Sequence, residues 1–347
     1  MKKTLYIIYI FLLAGFSVYA GNPDRQGEAG ASQLLLNPYA RSAGLHTLNT
    51  SSVSGVEALH LNPAGLSRIA KTQFVLGNTV YLQGTDIRFN ALGLSQRIGK
   101  GGAFGFSLMS VDFGDIPVTT TFQPEGTGAT FSPAFFNMGL SYAHIFENKV
   151  SVGITMRAVS ESTADINSFA FAVDAGVQYV TGEQDNFKFG ISLRNVGSRM
   201  TYSGQGLSTA APAPGRGAYN LTYAQRAAGF ELPSVLNIGA SYDFRMGSAH
   251  RLTMLGNFTA NSFSRDQIGG GLEYALKERF MLRGAYKIDM GVTNIAEAPI
   301  YSGLSAGASL EVPTSRDKKD STFGIDYAFT ASRVWKGTHN FGIRFNF

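Results

Sequence analysis

Cysteine is absent from all 347 residues. That rules out disulfides, thiolate metal sites and the acylated cysteine of a lipoprotein anchor. Charge is scarce as well: Asp, Glu, Lys and Arg make up 15% of the chain, against about 25% in soluble domains. The net charge is only +5 and dispersed, so no basic stripe is available to neutralise phosphates and a nucleic-acid partner is not expected. Past residue 20 no apolar stretch reaches the roughly 18 residues that a transmembrane helix needs. What is plentiful is glycine, at 41 residues, with 26 phenylalanines and 15 tyrosines against one tryptophan. An all-β chain fits this composition, either secreted or set in an outer membrane.

Residues 1–20 read as a secretory signal peptide. Lys2 and Lys3 give the charged start, Leu5 through Phe16 the apolar run, and Val18-Tyr19-Ala20 puts small residues at the two positions that a signal peptidase reads, with cleavage expected before Gly21. Its removal takes two lysines and no acid, lowering the net charge from +5 to +3.

Period-two alternation separates the two all-β classes. Phe136, Met138, Leu140 and Tyr142 share one face, and Asn137, Gly139, Ser141 and Ala143 the other. The pattern recurs at Phe169, Phe171, Val173, Ala175, Val177 and Tyr179 against Ala170, Ala172, Asp174, Gly176 and Gln178, and again at Leu236, Ile238, Ala240, Tyr242 and Phe244 against Asn237, Gly239, Ser241 and Asp243. A soluble sandwich would charge its second face richly. Here that face is small and weakly polar, as suits the inside of a barrel whose outside meets lipid. Such segments fall at 72–82, 86–97, 102–113, 134–146, 149–160, 167–180, 186–196, 234–245, 250–260, 266–276, 279–289, 301–311, 322–333 and 338–347. They predict a transmembrane antiparallel β-barrel of about 14 strands over residues 72–347.

The connections agree. An even strand count is expected to put both termini on the periplasmic side, with short turns there and long loops outside. The long segments 114–133, 197–233 and 290–300 all fall on the outer side, and Lys100-Gly101, Glu147-Asn148 and Lys277-Glu278 on the inner. Val312 to Ser321 is a longer inner connection than this rule prefers, and its Asp317-Lys318-Lys319-Asp320 reads as a solvated turn. The final strand aligns Phe341, Ile343, Phe345 and Phe347 on one face. That ending is similar to the terminal strand that the barrel-assembly machinery recognises in outer-membrane proteins.

Residues 21–71 do not alternate and are expected to form an N-terminal lead and a plug within the lumen. There the backbone can bond to the polar inner faces of the strands. Asn62-Pro63 is a good helix entry, since Asn caps and Pro presets φ at the first helical position. An aliphatic run at Leu34-Leu35-Leu36, then Ala40-Arg41-Ser42-Ala43-Gly44, then Asn62-Pro63-Ala64-Gly65 resembles the PorV/PorQ family of the type IX secretion system, within the wider group of FadL-like outer-membrane barrels. Ala40, Arg41, Gly44, Asn62, Pro63, Ala64 and Gly65 match the pattern, whereas Leu45-His46-Thr47 stands where many members carry Met-Gly-Gly.

The resemblance implies an integral outer-membrane protein that works by binding other proteins. Its implied partners are a large translocon barrel and secreted cargo with a C-terminal sorting domain, or subunits of the surface-attachment complex, besides the membrane lipid itself. The outer loops offer Ile116, Val118, Phe122, Phe131, Leu207, Tyr219 and Leu221 as candidate contacts, or else fold over and shut the mouth. The rival is a FadL-like channel for hydrophobic small molecules, with strand glycines such as Gly93, Gly105, Gly139 and Gly269-Gly270-Gly271 as kinks or as room for crowded neighbours.

An enzyme is not expected. His46 and His60 fall in the plug, His250 beside a turn, and His144 and His339 on outward faces near strand ends, with no Gly-x-Ser-x-Gly element beside them. The aspartates are scattered without the close spacing of a calcium loop, so neither a metal nor a cofactor is expected. By parity most of Arg88, Arg157, Arg194, Arg283 and Arg344 point to the lumen, since charge facing lipid costs about 2–4 kcal/mol at the midplane. Arg41 is the expected anchor of the plug to the wall.

Overall fold

The computed structural model describes residues 21–147, 149–215, 219–294, 297–314 and 321–347. The signal peptide expected at 1–20, the Asn148 position of one inner turn and the turn at 317–320 lie outside them. Fourteen long strands follow one another in antiparallel order: β1 Thr72–Val80, β2 Arg88–Ile98, β3 Gly102–Asp112, β4 Ala134–Phe146, β5 Val150–Thr163, β6 Ile166–Thr181, β7 Phe187–Gly197, β8 Val235–Met246, β9 His250–Asn261, β10 Gln267–Leu276, β11 Phe280–Asp289, β12 Tyr301–Pro313, β13 Thr322–Ser332 and β14 Thr338–Asn346. Each pairs with its sequence neighbour, and β14 pairs with β1 from Gln73↔Asn346 to Val80↔His339, which closes the sheet. Closure leaves no strand edge exposed to lipid.

Alternation becomes geometry here. Outward residues are large and apolar and stand well exposed, as at Met156, Phe171 and Leu140, while the inward Asn137, Ser141, Ser95 and Asp174 are buried. This inverts a soluble core and is what lipid as solvent demands. Following paired residues sideways from Thr72 at the inner end leads through Gln96, Phe104, Tyr142, Ile154, Ala175 and Leu193 to Leu236 near the outer end of β7–β8. The strands are therefore tilted and staggered, as barrel closure requires. The long inner connection is shorter than expected, because β12 runs on to Pro313 and Thr314 N–H bonds Ser321 O at 2.8 Å.

The strand ends Thr72 and Phe347 meet at the short-turn mouth, where each bonds the other's backbone. The start of the described chain does not. Gly21 lies against Ser264 and Asp266 of the β9–β10 connection, Gly30 N–H bonds Glu231 O at 3.0 Å, and the Arg25 guanidinium stacks 4.3 Å from the Phe263 ring. All of these partners belong to long-loop-side connections. The expectation that both ends sit on the periplasmic side therefore holds for the strands alone. Residues 21–71 begin at the outer mouth and run down the lumen to the inner one, where Arg68 donates to Lys149 O and Arg97 to Ile69 O. Two short helices, α1 Ala40–Gly44 and α2 Ala58–Leu61, and a 3-10 turn Pro63–Ser67 punctuate this descent.

Candidate functional site

The N-terminal segment is seated by side chains that answer its own backbone. Asn62 is fully buried: its carbonyl oxygen accepts from Ala64 N–H at 3.2 Å, capping the turn, and its amide donates to Thr50 O at 3.0 Å and Val177 O at 3.2 Å. From β6, Gln178 donates to Thr50 O and Val53 O at 3.1 and 2.9 Å. Arg157 of β5 pairs with Asp174 of β6 and extends a bond of 3.0 Å to Leu59 O at the end of α2. Arg194 of β7 donates to Leu34 O at 2.9 Å, Gln73 of β1 accepts from Val56 N–H at 2.7 Å, and Ser305 of β12 donates to Gly44 O at 3.1 Å. Contacts on strands all round the wall satisfy a helical segment that has too few residues to satisfy itself.

Strand glycines make the room. A Cβ on Gly153 would stand 2.3 Å from the Pro63 carbonyl carbon, and one on Gly176 would stand 2.0 Å from Asn62 Oδ1. Gly93 faces Val56, Gly105 faces Leu59 and Gly269 faces Leu48 at comparable closeness. Of the glycines weighed as kinks, these three serve as room for crowded neighbours, and those neighbours come from the segment. Within it, Gly65 admits the Val53 carbonyl, and Gly44 lies against Gly307 of β12.

Arg41 is half-buried near wall carboxylates, without a direct bond to them among the described residues. It faces a cavity of about 250 Å³ shared with Glu57, Lys188, Asp243, Arg251, Glu273 and Arg283. Its Nε is buried without a hydrogen-bond partner, and among the described residues it closes no ion pair. The wall charges pair with each other instead: Arg283 with Glu273 at 2.5 Å, Arg251 with Glu273 at 3.0 Å, Lys188 with Asp243 at 2.7 Å and Arg344 with Glu311 at 3.0 Å. Arg157, Arg194, Arg283 and Arg344 are buried in the lumen, whereas Arg88 faces outward. In the segment, burial and the neighbouring Arg194 and Arg157 cations hold His60 well below the ordinary histidine range, and burial with Lys287 does the same to His46. Both imidazoles are therefore neutral near pH 7.

At the outer mouth the longest connection does two things at once. Its base folds inward: Met200 and Phe230 exchange backbone bonds, and Met200 and Leu232 are buried with Ala31, Leu34 and Val159 over the start of the segment. Its tip projects as a hairpin, Ser208–Pro212 paired with Asn220–Ala224, which leaves Tyr219 62% and Leu221 42% exposed. In the β3–β4 connection Ile116 pairs with Phe131, both partly or well exposed with Val118, and Phe122 is 96% exposed at the tip. Leu207 stays half-buried beneath the first hairpin. Below, β14 sets Phe341, Ile343 and Phe345 outward, with Phe345 ringed by Phe74 and Phe323 at 6.4 and 5.1 Å. Phe347 follows them, 55% exposed.

A model described as the type IX secretion system membrane protein PorP/SprF family matches residues 59–329. Nothing among the curated proteins matches the sequence. Among solved structures, the toluene transporter TodX of Pseudomonas putida superposes with a TM-score of 0.57 at 14% identity, covering 89% of this chain and 98% of that one. The toluene transporter TbuX of Ralstonia pickettii gives 0.51 at 12% identity, over 89% and 97% of the two chains. Likeness at this identity is likeness of fold. The secretion system is the one that the sequence resemblance named, but the matching family is PorP/SprF, and the PorV/PorQ assignment gains no support from it.

Proposed function

Because this chain belongs to the type IX secretion system membrane protein PorP/SprF family, we propose that it serves that system in the outer membrane by docking proteins, binding the translocon barrel, its cargo, or both, and passing cargo toward surface attachment. The observation that supports this reading is a segment bonded to the inner wall beneath projecting hairpins. A segment bonded to strands around the wall would act as a hatch across the lumen. Exposed Phe122, Tyr219 and Leu221 meanwhile offer apolar contacts at the outer mouth. The protein works without catalysis, and the outward phenylalanines of β14 act as its assembly signal. Whether it sits with the translocon or with attachment subunits is decided by what co-purifies. Gentle detergent extraction of the tagged protein from its native membrane is expected to recover other type IX subunits or cargo with a shared C-terminal domain. A clean monomer would refute the reading.

A FadL-like channel for hydrophobic small molecules is the second reading. It is favoured by a cavity of about 230 Å³ under the outer mouth, lined in part by Leu35, Leu36, Tyr81, Phe89, Val235 and Tyr301. A monomer that retains a small apolar ligand through purification would turn the assignment that way.

A further inference from the structure

The outward wall is apolar between its ends on nearly every strand, as at Met138 and Leu140, Phe171 and Val173, Ile238 and Ala240, Leu272, and Leu282. Strands β1–β3 break this rule in a line. The register places Asn78 beside Asn90 and Asn90 beside Ser110, with Leu76, Leu92 and Leu108 in the row below and Val80, Arg88 and Asp112 in the row above. All nine alternate with buried inward neighbours, so all point away from the lumen. Asn78 is not at a strand end: Leu76 lies below it and Val80 above it on the same face, and Phe341 stands opposite it on β14. An outward step of two residues rises about 5 Å on a strand tilted by about 40°. Asn78, three such steps above Thr72, is therefore inside an apolar band about 25 Å tall.

Asn78 Nδ2 donates to Asn90 Oδ1 at 2.8 Å. That single bond leaves Asn78 Oδ1 and both protons of Asn90 Nδ2 unanswered among the described residues. Acyl chains answer neither, and a carboxamide held in hydrocarbon without partners is costly. Beside the row runs a groove of about 400 Å³, bordered by Leu76, Leu92, Leu108, Phe341 and Ile343, that gives an occupant apolar contact next to the polar row. Arg88 and Asp112 are register partners and cancel, so the face has no net charge to draw an anionic lipid headgroup.

We propose that the outward face of β1–β3, centred on Asn78, Asn90 and Ser110, is a lateral docking surface within the membrane for another integral outer-membrane protein, whose own polar side chains complete the hydrogen bonds of this row. The proposal rests on the protein-docking function above and locates one of its surfaces. Asparagine and serine side chains join transmembrane helices by hydrogen bonds across the contact, and the same chemistry is open to a strand wall.

The test places a photo-crosslinking p-benzoylphenylalanine at position 90 of the full-length tagged protein in native cells, with position 268 on the far wall as control. Ile268 is outward and half exposed. Ultraviolet light is expected to give an adduct from position 90 alone, mapping to a membrane-spanning segment of a second integral outer-membrane protein. The N78L/N90L variant suits lipid better and is expected to keep its heat-modifiable mobility and membrane level. The same crosslinker at position 92 in that variant is expected to lose the adduct at least tenfold. Adducts only to lipopolysaccharide would overturn the proposal in favour of a lipid site. Absence of any adduct, or an adduct at 92 undiminished in N78L/N90L, would overturn it too. If the wild-type protein still co-purifies type IX subunits in that case, the docking function stands and only this surface is lost.

Discussion

Replacing Asn62 with alanine tests how the luminal segment holds its fold against the wall. The side chain is fully buried and makes three hydrogen bonds, one capping its own turn and two reaching Thr50 O and Val177 O. Each is worth about 1 kcal/mol net, and loss of an asparagine cap alone costs about as much. Gln178 still donates to Thr50 O, so that carbonyl is not orphaned, and the sum is about 2–3 kcal/mol. Only the Val177 bond crosses to the wall, so the full loss applies when release also unfolds the segment and breaks its two internal bonds; the released population then rises by about 30- to 150-fold at 1.4 kcal/mol per factor of ten. Trypsin is too large to enter the lumen, so cleavage after Arg41 reads that population when reclosing is fast. The expected result is a matching rise in the rate of cleavage at Arg41, with heat-modifiable mobility unchanged because the barrel strands keep their ladders. A rate within threefold of wild type, with the barrel intact, would refute the idea that these bonds hold the segment in place.

Acid is expected to loosen the same segment. His60 and His46 are held neutral when docked, so the released state binds protons more readily, and the stability present above about pH 6.5 drains as pH falls. A cysteine in place of the buried Ser67 is expected to react faster with 4,4′-dithiodipyridine at pH 5 than at pH 7.5, and His60→Gln to flatten that slope. An equal rate at both pH values would contradict the linkage. The path of the segment predicts topology as well: with no native cysteine to confuse labelling, Asn22→Cys is expected to take an impermeant maleimide on intact cells while Lys100→Cys in an inner turn does not. Reversed labelling would turn the molecule over.

Much of the barrel was readable because lipid imposes a simple grammar. The alternation at 134–146, 167–180 and 234–245 became strands with the expected faces, and the long connections fell at one mouth. The Asn62-Pro63 cap was readable too, since it is local chemistry. What was not readable shares a cause, which is that it depends on who lies across the lumen. Arg41 looked like an anchor from its place in a motif, yet the wall charges near it are spent on one another. Arg157, Gln178 and Arg194 do the holding, and nothing in a strand's own alternation says that an inward arginine will find the carbonyl of Leu59. A signal existed in the glycines: Gly153, Gly176 and Gly269 all lie on inward faces, where a bulky neighbour inside the barrel is one reason to have no side chain.

The row on β1–β3 was hidden for a related reason. Taken singly, Asn78, Asn90 and Ser110 are polar residues on outward faces that also carry Arg88, Gln96 and Asp112 toward their ends, each tolerable by itself. Pairing register turns them into one feature, because Asn78↔Asn90 and Asn90↔Ser110 align only when the turns at 81–87 and 99–101 fix how far each strand slides. A slip of one residue would send all three side chains into the lumen, where asparagine and serine are ordinary. Their lipid-facing position is therefore a consequence of register, which the inward placement of Phe89, Met109 and Val111 against one another helps to hold. Only replacement of both asparagines by an apolar residue would relieve such a row, since either change alone strips the remaining carboxamide of its one partner. A bonded asparagine pair over a leucine-lined groove is accounted for if something in the membrane completes it.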